Sequence, residues 1–394
     1  MYGQHKVLFV TIDGGGNIPP VLGLARRLSE KGLEIFVLSE PCMEELVRSA
    51  GFTFIPFRNY FTRTDRKEDL LRDANTSAMN SPVVDKIVFG PAKVIVDETF
   101  AAIQSNGIDL LVVDCLLLPA LIAAEAAGIP GVIAFHFPEY MPGPNRPPGM
   151  MGLLPGRNLF GKMRDKLLGA VFTKIFNKHL DSVNSIRSFY SLAPLRNLTD
   201  LVHRADLRLI QTLRSFDFPI EPPPANVRYT GPVLDDPDWT EPWSNPWPAD
   251  DTRPLIVVSL SSTFQDQART IQSVIDSLAL LPVRGLVTLG LAMQDQSFHL
   301  PENVLVVKSA PHSSVFPHAS LVITHAGHGT IMRALSFGLP LLCLPMGRDQ
   351  NDNAAKVAFH ECGLRLSSRS GPEEIKRAVL KILSDRTYKQ QAEI

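Results

Sequence analysis

The sequence lacks the features that mark several classes of protein. No apolar run approaches the roughly 20 residues that a membrane-spanning helix needs. Its four cysteines are scattered and form no CxxC pair, so we expect reduced, mostly buried thiols rather than a disulfide framework. The formal net charge of -1 argues against the strongly basic field of a nucleic-acid-binding protein.

The first residues also lack the marks of a secretory signal. Met1 leads almost at once into the strand-like run "KVLFVTI", without a basic stretch, a long apolar core or a cleavage site. We therefore expect a cytoplasmic protein. Hydrophobic residues make up 45% of the chain and charged residues 20%, which is typical of a globular protein with large cores.

What the sequence does contain is a regular alternation. Short β-branched runs alternate with amphipathic segments, which is typical of βαβ units and a parallel sheet. The runs predicted as strands in the first half are residues 6–12, 34–39, 52–57, 109–114 and 131–135. Those in the second half are residues 254–260, 285–290, 304–309, 320–324 and 340–345. The predicted helices include residues 19–32, 120–128, 266–281, 328–337, 350–361 and 372–384.

Residues 216–253 interrupt this alternation. The segment is rich in proline and contains all three tryptophans, a composition typical of an interdomain linker. We predict an α/β protein with one Rossmann-like domain over residues 1–215 and another over 254–394. Each would be a doubly wound sheet, and the two would face each other across a cleft. Ligands of such sheets bind beyond the carboxyl ends of the strands.

A basic segment at residues 157–196 stands apart. Regularly spaced apolar residues predict helices there, and Lys162, Lys166 and Lys174 are among their basic residues. A basic amphipathic helix can lie on an anionic membrane, which predicts weak peripheral contact with lipid. The alternative is a helical excursion over the first domain with a solvated basic face.

The most informative motif is "HAGHGT", which separates a predicted strand from a predicted helix. Gly327 and Gly329 allow backbone N–H groups to approach an anion closely. The helix N-terminus adds partial positive charge and unpaired donors, and His325 and Thr330 can donate further hydrogen bonds. The motif therefore predicts a site for a diphosphate.

A metal site is the alternative at this motif, because four histidines crowd into one segment. They are His312, His318, His325 and His328. Zinc sites usually combine compact ligand pairs with a supporting cysteine or carboxylate, and these histidines lack that spacing. We predict that no metal ion binds here.

Asp349 and Gln350 follow the next predicted strand. An adjacent carboxylate and carboxamide can accept from and donate to the vicinal hydroxyls of a sugar. Asp349 is also suited to capping the helix that starts near Asn351, and both roles are compatible.

With these motifs the chain resembles the GT-B nucleotide-sugar glycosyltransferases. The branch includes the plant UDP-glycosyltransferases and the bacterial natural-product and macrolide enzymes, and the likeness is strongest over residues 304–357. It implies an inverting, metal-independent transfer of a sugar, in which the nucleotide sugar is a co-substrate and no cofactor takes part. It implies contacts from His325 and Thr330 to the donor diphosphate, and from Asp349 and Gln350 to sugar hydroxyls. It also places Ser262 on a second phosphate-facing loop, and the backbone near Ser309 and Ala310 against the base.

The chain departs from this family at two places on the donor side. Many relatives that use UDP carry a glutamate eight residues after the motif histidine, where it holds the ribose hydroxyls. Here that residue is Arg333, which cannot accept hydroxyl protons, so both UDP and dTDP donors stay open. Relatives also continue into a last helix that crosses back to the first domain, so we expect this sequence to be shortened.

The loop "DGGGN" after the first strand has the form of a phosphate loop but faces the acceptor in the family. Relatives carry a basic histidine there, oriented by an acidic residue after a later strand. Asn17 stands at the histidine's position, and Asp114 matches the acidic partner. An amide has no useful basicity, so Asn17 can only position the acceptor. The base is then Asp13, Asp114 or His136, or the acceptor is acidic enough to need none.

The sequence says less about the acceptor. Residues 135–156 are rich in Phe, Met, Pro and Gly, which is typical of an adaptable apolar pocket wall and predicts a small lipophilic or aromatic acceptor. Because the family histidine is missing, a non-catalytic binder of sugar nucleotides, or a partner of an active transferase, stays open. A nucleotide-sugar 2-epimerase has a similar two-domain build and is a further alternative.

Overall fold

A computed structural model describes residues 5–66, 83–143, 146–218, 222–236, 240–260, 267–290, 293 and 296–394. The chain divides into two compact units. Unit 1 comprises residues 1–149 and 155–233, and unit 2 comprises residues 150–154 and 234–394. The short segment 150–154 therefore packs with unit 2, although it lies within the sequence of unit 1.

Unit 1 is built on a seven-stranded sheet in the order β3-β2-β1-β4-β5-β6-β7. Every neighbouring pair of its strands is parallel. Its strands are β1 (Lys6–Val10), β2 (Glu34–Ser39), β3 (Thr53–Pro56), β4 (Leu110–Asp114), β5 (Gly131–Phe135), β6 (Leu207–Ile210) and β7 (Val227–Tyr229). The strands β1, β2, β4 and β5 are buried along almost their whole length, because helices cover both faces of such a sheet. The strand order reverses between β1 and β4.

Helices connect these strands, as the alternation predicts. They are α1 (Ile18–Ser29), α2 (Glu44–Ser49), α3 (Ala92–Asn106), α4 (Ala120–Ala127), α5 (Leu159–Phe176), α6 (Leu180–Phe189) and α7 (Thr199–His203). Proline occupies the first turn of α1, where its missing N–H costs nothing. The apolar face of α1, with Val21 and Leu22, packs on the sheet in one core with Val7 and Phe9.

Unit 2 repeats the same plan with a six-stranded sheet in the order β10-β9-β8-β11-β12-β13. Its strands are β8 (Leu255–Ser259), β9 (Arg284–Thr288), β10 (Val304–Val307), β11 (Leu321–Thr324), β12 (Leu341–Cys343) and β13 (Gly363–Arg365), and all pairs are parallel. Its helices are α8 (Ala268–Ala279), α9 (His312–Val315), α10 (His328–Ser336), α11 (Gln350–Phe359), α12 (Pro372–Ser384) and α13 (Arg386–Ala392). The order reverses between β8 and β11.

The sequence did not predict β6, β7 and β13. In β6 the buried Arg208 breaks the apolar pattern, and its guanidinium Nη1 lies 2.5 Å from the buried Glu139 carboxylate. The three residues of β7 lie inside the proline-rich segment that composition assigns to a linker. Short strands at the edge of a sheet leave little periodicity to read.

The basic segment 157–196 forms α5 and α6, joined by a short 3-10 turn at Asn177–His179. Asn158 caps α5 by accepting a hydrogen bond from the Gly161 N–H. Within the described part of the chain, no helix has the length and apolar composition needed to cross a bilayer.

Candidate functional site

The first group of predicted residues lies where the strand order of unit 1 reverses. The register pairs Val10 with Val113, so the residues that follow β1 lie beside the end of β4. The Thr11 hydroxyl donates to Asp114 Oδ2 at 2.8 Å. Asp114 is buried, and its other oxygen, Oδ1, accepts the Leu116 N–H at 3.0 Å. Side chains at such a reversal are well placed to meet a ligand.

Asn17 uses its amide inside the protein. Its Nδ2 donates to Asp114 Oδ2 at 2.6 Å and to the Ile12 carbonyl at 2.8 Å, and its Oδ1 accepts the Gly14 N–H at 3.0 Å. Only 2% of the residue is exposed. Both amide hydrogens are thus committed to protein acceptors, and Asn17 holds the glycine loop against Asp114. Gly15 in this loop has a φ of 87°, which glycine adopts without strain.

Asp13 is equally committed. Its Oδ1 accepts the Gly15 N–H at 2.9 Å, and its Oδ2 lies 2.7 Å from Arg66 Nε in a largely buried ion pair. The Arg63 guanidinium also donates to the Asp13 carbonyl at 2.8 Å. Both carboxylate oxygens of Asp13 are thus held by groups of the protein, and this geometry supports a role of Asp13 in shaping the loop.

His136 directly follows β5, the strand that pairs with β4. Its Nδ1 lies 3.7 Å from Asp114 Oδ1, and its side chain is 12% exposed. That separation exceeds a hydrogen bond, but catalytic contacts are often long without substrate and shorten in the complex. Asp114 therefore faces Asn17 and Thr11 with one oxygen and His136 with the other.

Cys115 joins this group, which the sequence did not anticipate. Its Sγ lies 3.7 Å from His136 Nδ1. The ligand atoms of Asp114, Cys115 and His136 all lie within 4.8 Å of one another, so the three side chains could hold a metal ion. No CxxC or His-rich spacing signals this set, because its members come from the ends of two parallel strands.

A cavity of about 580 Å³ lies between the loop that follows β5 and helix α5. Pro142 and Gly143 line one side, and Met163, Gly169 and Ala170 line part of the other. The volume lies within the range of small-molecule sites. Lys162, Asp165, Lys166 and Thr173 complete the lining, so the cavity combines apolar with charged and polar side chains.

The second group lies where the strand order of unit 2 reverses. His325 follows β11, Ala326 has a φ of 70°, and Gly327 is the N-cap of α10. The first N–H groups of a helix have no acceptor within it, so this loop presents donors and a positive dipole end. Gly329 and Thr330, in the first turn, are partly exposed.

The His325 imidazole is buried beneath this loop. Burial, together with the nearby charge of Arg348 and against a hydrogen bond to the Ser259 backbone, lowers its pKa to about 4. His325 is therefore neutral near pH 7 and can donate only one ring hydrogen. Gly327 packs on the ring so closely that a Cβ there would lie 2.5 Å from His325 Nε2. The glycine is required by this approach rather than by an unusual φ.

Asp349 and the "HAGHGT" loop are joined through one amide. Asp349 is the N-cap of α11 but makes no side-chain capping bond. Instead its Oδ2 accepts Asn353 Nδ2 at 2.7 Å, and the same nitrogen donates to the Ala326 carbonyl at 3.0 Å. The residue that follows, Gln350, is buried, and its Oε1 accepts the Met346 and Gly347 N–H groups at 2.8 and 3.2 Å.

The remaining residues predicted to bind the donor differ in their surroundings. The Ser309 hydroxyl accepts the Glu241 N–H at 2.9 Å, and both Ser309 and Ala310 are buried. Arg333, at the position of the family glutamate, donates to the Leu234 and Asp235 carbonyls. Ser262 lies outside the described residues.

Comparison with known proteins agrees with this architecture. Residues 272–394 match the family model "Erythromycin biosynthesis protein CIII-like, C-terminal domain". The 4'-demethylrebeccamycin synthase of Lentzea aerocolonigenes is 26% identical over 98% of this chain and 94% of its own length. The solved glycosyltransferase of kitacinnamycin aligns with a TM-score of 0.72 at 20% identity, covering 100% of this chain and 94% of that one. Glycosyltransferase VinC, solved with dTDP, gives a TM-score of 0.67 at 18% identity, over 98% and 93%.

The two solved structures share the fold, which confirms the predicted GT-B class. The family model covers the motifs after β11 and β12, and the synthase relative covers both units. This chain is therefore a glycosyltransferase of the GT-B fold, and it is similar to enzymes of natural-product pathways along both units.

Proposed function

We propose that this enzyme moves a sugar from a nucleoside diphosphate sugar to a hydroxyl group of a small lipophilic or aromatic acceptor. The transfer inverts the anomeric carbon and needs no metal ion. His136 is the general base, and Asp114 orients it. The observation that carries this assignment is the division of the Asp114 carboxylate, with Oδ2 bonded by Asn17 and Thr11 and Oδ1 facing His136 Nδ1 at 3.7 Å.

The chemistry follows from this arrangement. The acceptor hydroxyl gives its proton to His136 Nε2 as its oxygen attacks the anomeric carbon from the side opposite the leaving group. The bond from that carbon to the diphosphate oxygen breaks, and the diphosphate leaves with the electron pair. Asp114 stabilises the imidazolium through Nδ1. A base placed in this way typically contributes about 10²–10⁴-fold to the rate.

The donor site supplies the other half. Charge that develops on the leaving diphosphate meets the N-terminus of α10, the neutral His325 ring and the Thr330 hydroxyl. Preorganised donors of this kind take the role that a divalent cation plays elsewhere. Asp349 lies beside this loop through Asn353 and serves the sugar hydroxyls. Gln350, whose oxygen is bonded to the preceding loop, is the second residue that we assign to the sugar.

The nucleoside diphosphate of the donor is UDP or dTDP. Arg333 has no oxygen with which to accept ribose hydroxyl protons, and the related VinC was solved with dTDP, so a deoxyribose donor is a full candidate. The loop at residues 135–156, rich in Phe, Met, Pro and Gly, supports a lipophilic acceptor.

The test pairs a substrate panel with a matched pair of variants. The protein is incubated with UDP- and dTDP-sugars and with phenolic and macrolide acceptors, and products are followed by mass spectrometry. We expect an inverted product with one pair, unchanged by a chelator or by added Zn²⁺, and a kcat lowered about 10²–10⁴-fold in His136→Ala. The control is His5→Ala. It removes another His–Asp pair, in which His5 Nδ1 lies 3.5 Å from Asp109 Oδ2 at the opposite end of the same sheet.

Two results would contradict the proposal. Full activity in His136→Ala would move the base elsewhere, and loss of activity on chelation would assign a metal role to Asp114, Cys115 and His136. Clear nucleotide binding without product from any pair would instead favour the second candidate, a non-catalytic sugar-nucleotide binder. The engagement of Asn17 where relatives carry a base is the observation that keeps this candidate.

A further inference from the structure

Helix α5 exposes large apolar side chains along one face. Their exposed fractions run from 36% at Val171 to 82% at Phe160. We call this set the α5 stripe, and its members are Leu159, Phe160, Met163, Leu167 and Val171. Isolated exposed apolar residues are ordinary, but several on one helix face mark an interaction surface.

The spacing of these residues in the sequence places them on one face of the helix. At about 100° per residue, the members of the stripe fall within an arc of roughly 120° on the helix surface. The opposite face is buried through Phe172 and Phe176, whose rings stack at 4.5 Å, and Phe176 contacts Phe89 edge-on. Helix α5 is therefore anchored to unit 1 by one face and presents the stripe with the other.

Charge along α5 is of one sign on its outer side. Lys162 and Lys166 flank the stripe on one side, and Lys174 lies within its arc; all three are exposed. The only acidic residue of α5 is Asp165. It is buried, and its carboxylate binds the Gly156 N–H at 2.7 Å and Arg164 at 2.7 Å. The outward face thus combines apolar side chains with the positive charges of Lys162, Lys166 and Lys174.

We propose that the α5 stripe docks this protein on the surface of an anionic lipid bilayer. The helix would lie in the plane of the interface, with Phe160 and Leu167 among the upper acyl chains and the lysines at the lipid phosphates. Apolar insertion and attraction to anionic headgroups add in this geometry. The charge favours lipid over a protein groove or a second copy of the chain, because two α5 stripes face to face would bring their lysines together.

The test is co-sedimentation of the full chain with vesicles. We expect binding to phosphatidylcholine vesicles that contain phosphatidylglycerol to be at least about tenfold stronger than to pure phosphatidylcholine, and to weaken as salt is raised. Two double variants separate the contributions. Phe160→Ser with Leu167→Ser removes apolar contact, and Lys166→Glu with Lys174→Glu reverses charge; each should lower binding to anionic vesicles about tenfold.

The matched control is Leu280→Ser, which removes an exposed apolar side chain from unit 2 and should leave vesicle binding unchanged. Thermal unfolding of each variant checks that the fold is retained. Absence of vesicle binding would overturn the proposal, as would binding that ignores both lipid charge and the two double variants. A dimer in sedimentation analysis that Phe160→Ser with Leu167→Ser dissociates would assign the stripe to a second copy instead.

Discussion

Unit 1 and unit 2 reverse their strand order in the same way, and each gathers polar residues beyond the strands on either side of the reversal. In unit 2 the groups are mostly local: a loop N–H, a helix N-terminus and a buried histidine within "HAGHGT". In unit 1 they come from distant segments, because Asn17 and Asp114 are separated by 97 positions. In the proposed function, the anion site of unit 2 depends on backbone groups of one short segment. The proton-transfer site of unit 1 depends on side chains from distant segments that meet at the Asp114 carboxylate.

Replacement of Asp114 should produce the largest difference between the effects on turnover, which we assign to unit 1, and on nucleotide binding, which we assign to unit 2. Asp114→Asn keeps the shape of the side chain but removes the charge that, in the proposed mechanism, orients and stabilises His136. We expect kcat to fall about 10²–10⁴-fold, while the affinity for the donor nucleotide changes less than about twofold. Steady-state kinetics and calorimetry measure the two quantities. Asp109→Asn, at the opposite end of β4, is the control. Weakened nucleotide binding in Asp114→Asn would show that the sites are not separable.

The buried His325 should make the free energy of unfolding of unit 2 depend on pH. The pKa of His325 is lowered to about 4 in the folded state, whereas an unfolded histidine titrates near 6.5. As the pH falls through this window the unfolded chain takes up the proton first, so the folded state loses stability. We expect a loss of about 2 kcal/mol from this group between pH 7 and pH 5.

Residues 1–233 contain no tryptophan, and the described Trp243 and Trp247 belong to unit 2, so tryptophan fluorescence during urea unfolding follows unit 2. His325→Asn cannot titrate in this range and should lose about 2 kcal/mol less than the natural chain between the two pH values. Equal losses in both proteins would place the His325 pKa near its ordinary value and remove the argument that the ring is neutral by burial.

Gly327→Ala tests whether the donor loop depends on close packing. A Cβ there would lie 2.5 Å from His325 Nε2 and 2.7 Å from its Cε1, so the ring or the loop must move. Overpacking of this kind costs about 1–3 kcal/mol, and we expect UDP and dTDP to bind about tenfold more weakly by calorimetry. Gly371→Ala, where a Cβ meets nothing within 4 Å, is the matched control in the same unit. Unchanged affinity in Gly327→Ala would mean that the nucleotide does not use this loop.

The sequence predicts the local backbone geometry around His325 and few of the contacts around Asp114, for physical reasons. The strand, glycines and helix start around His325 are contiguous, so their geometry is implied by local pattern. The choice between Asp13 and His136 depends on contacts that no local pattern encodes. Arg66 pairs with Asp13 at 2.7 Å, and β4 and β5 bring His136 to Asp114 from residues 22 positions away. Cys115 and the buried Arg208 of β6 were missed for the same reason.

The last prediction returns the acceptor side to the arrangement of its relatives. Asn17→His, made in the His136→Ala background, places an imidazole beside Asp114 Oδ2, which now lies 2.6 Å from the Asn17 amide nitrogen. We expect kcat to recover about fivefold, a small part of what a positioned base supplies, because the histidine also gives up the bonds from Asn17 to the Gly14 N–H and Ile12 carbonyl.

Asn17→Gln in the same background is the control, because it keeps an amide without basicity and should restore nothing. A further readout is the pH profile of kcat. In the rescued double variant activity should fall with acid as one histidine is protonated, whereas His136→Ala alone should lack that limb. If Asn17→His folds and binds nucleotide but rescues no activity, Asp114 does not serve as the common partner of a base at either position, and the acceptor's own acidity becomes the better account of how its proton leaves.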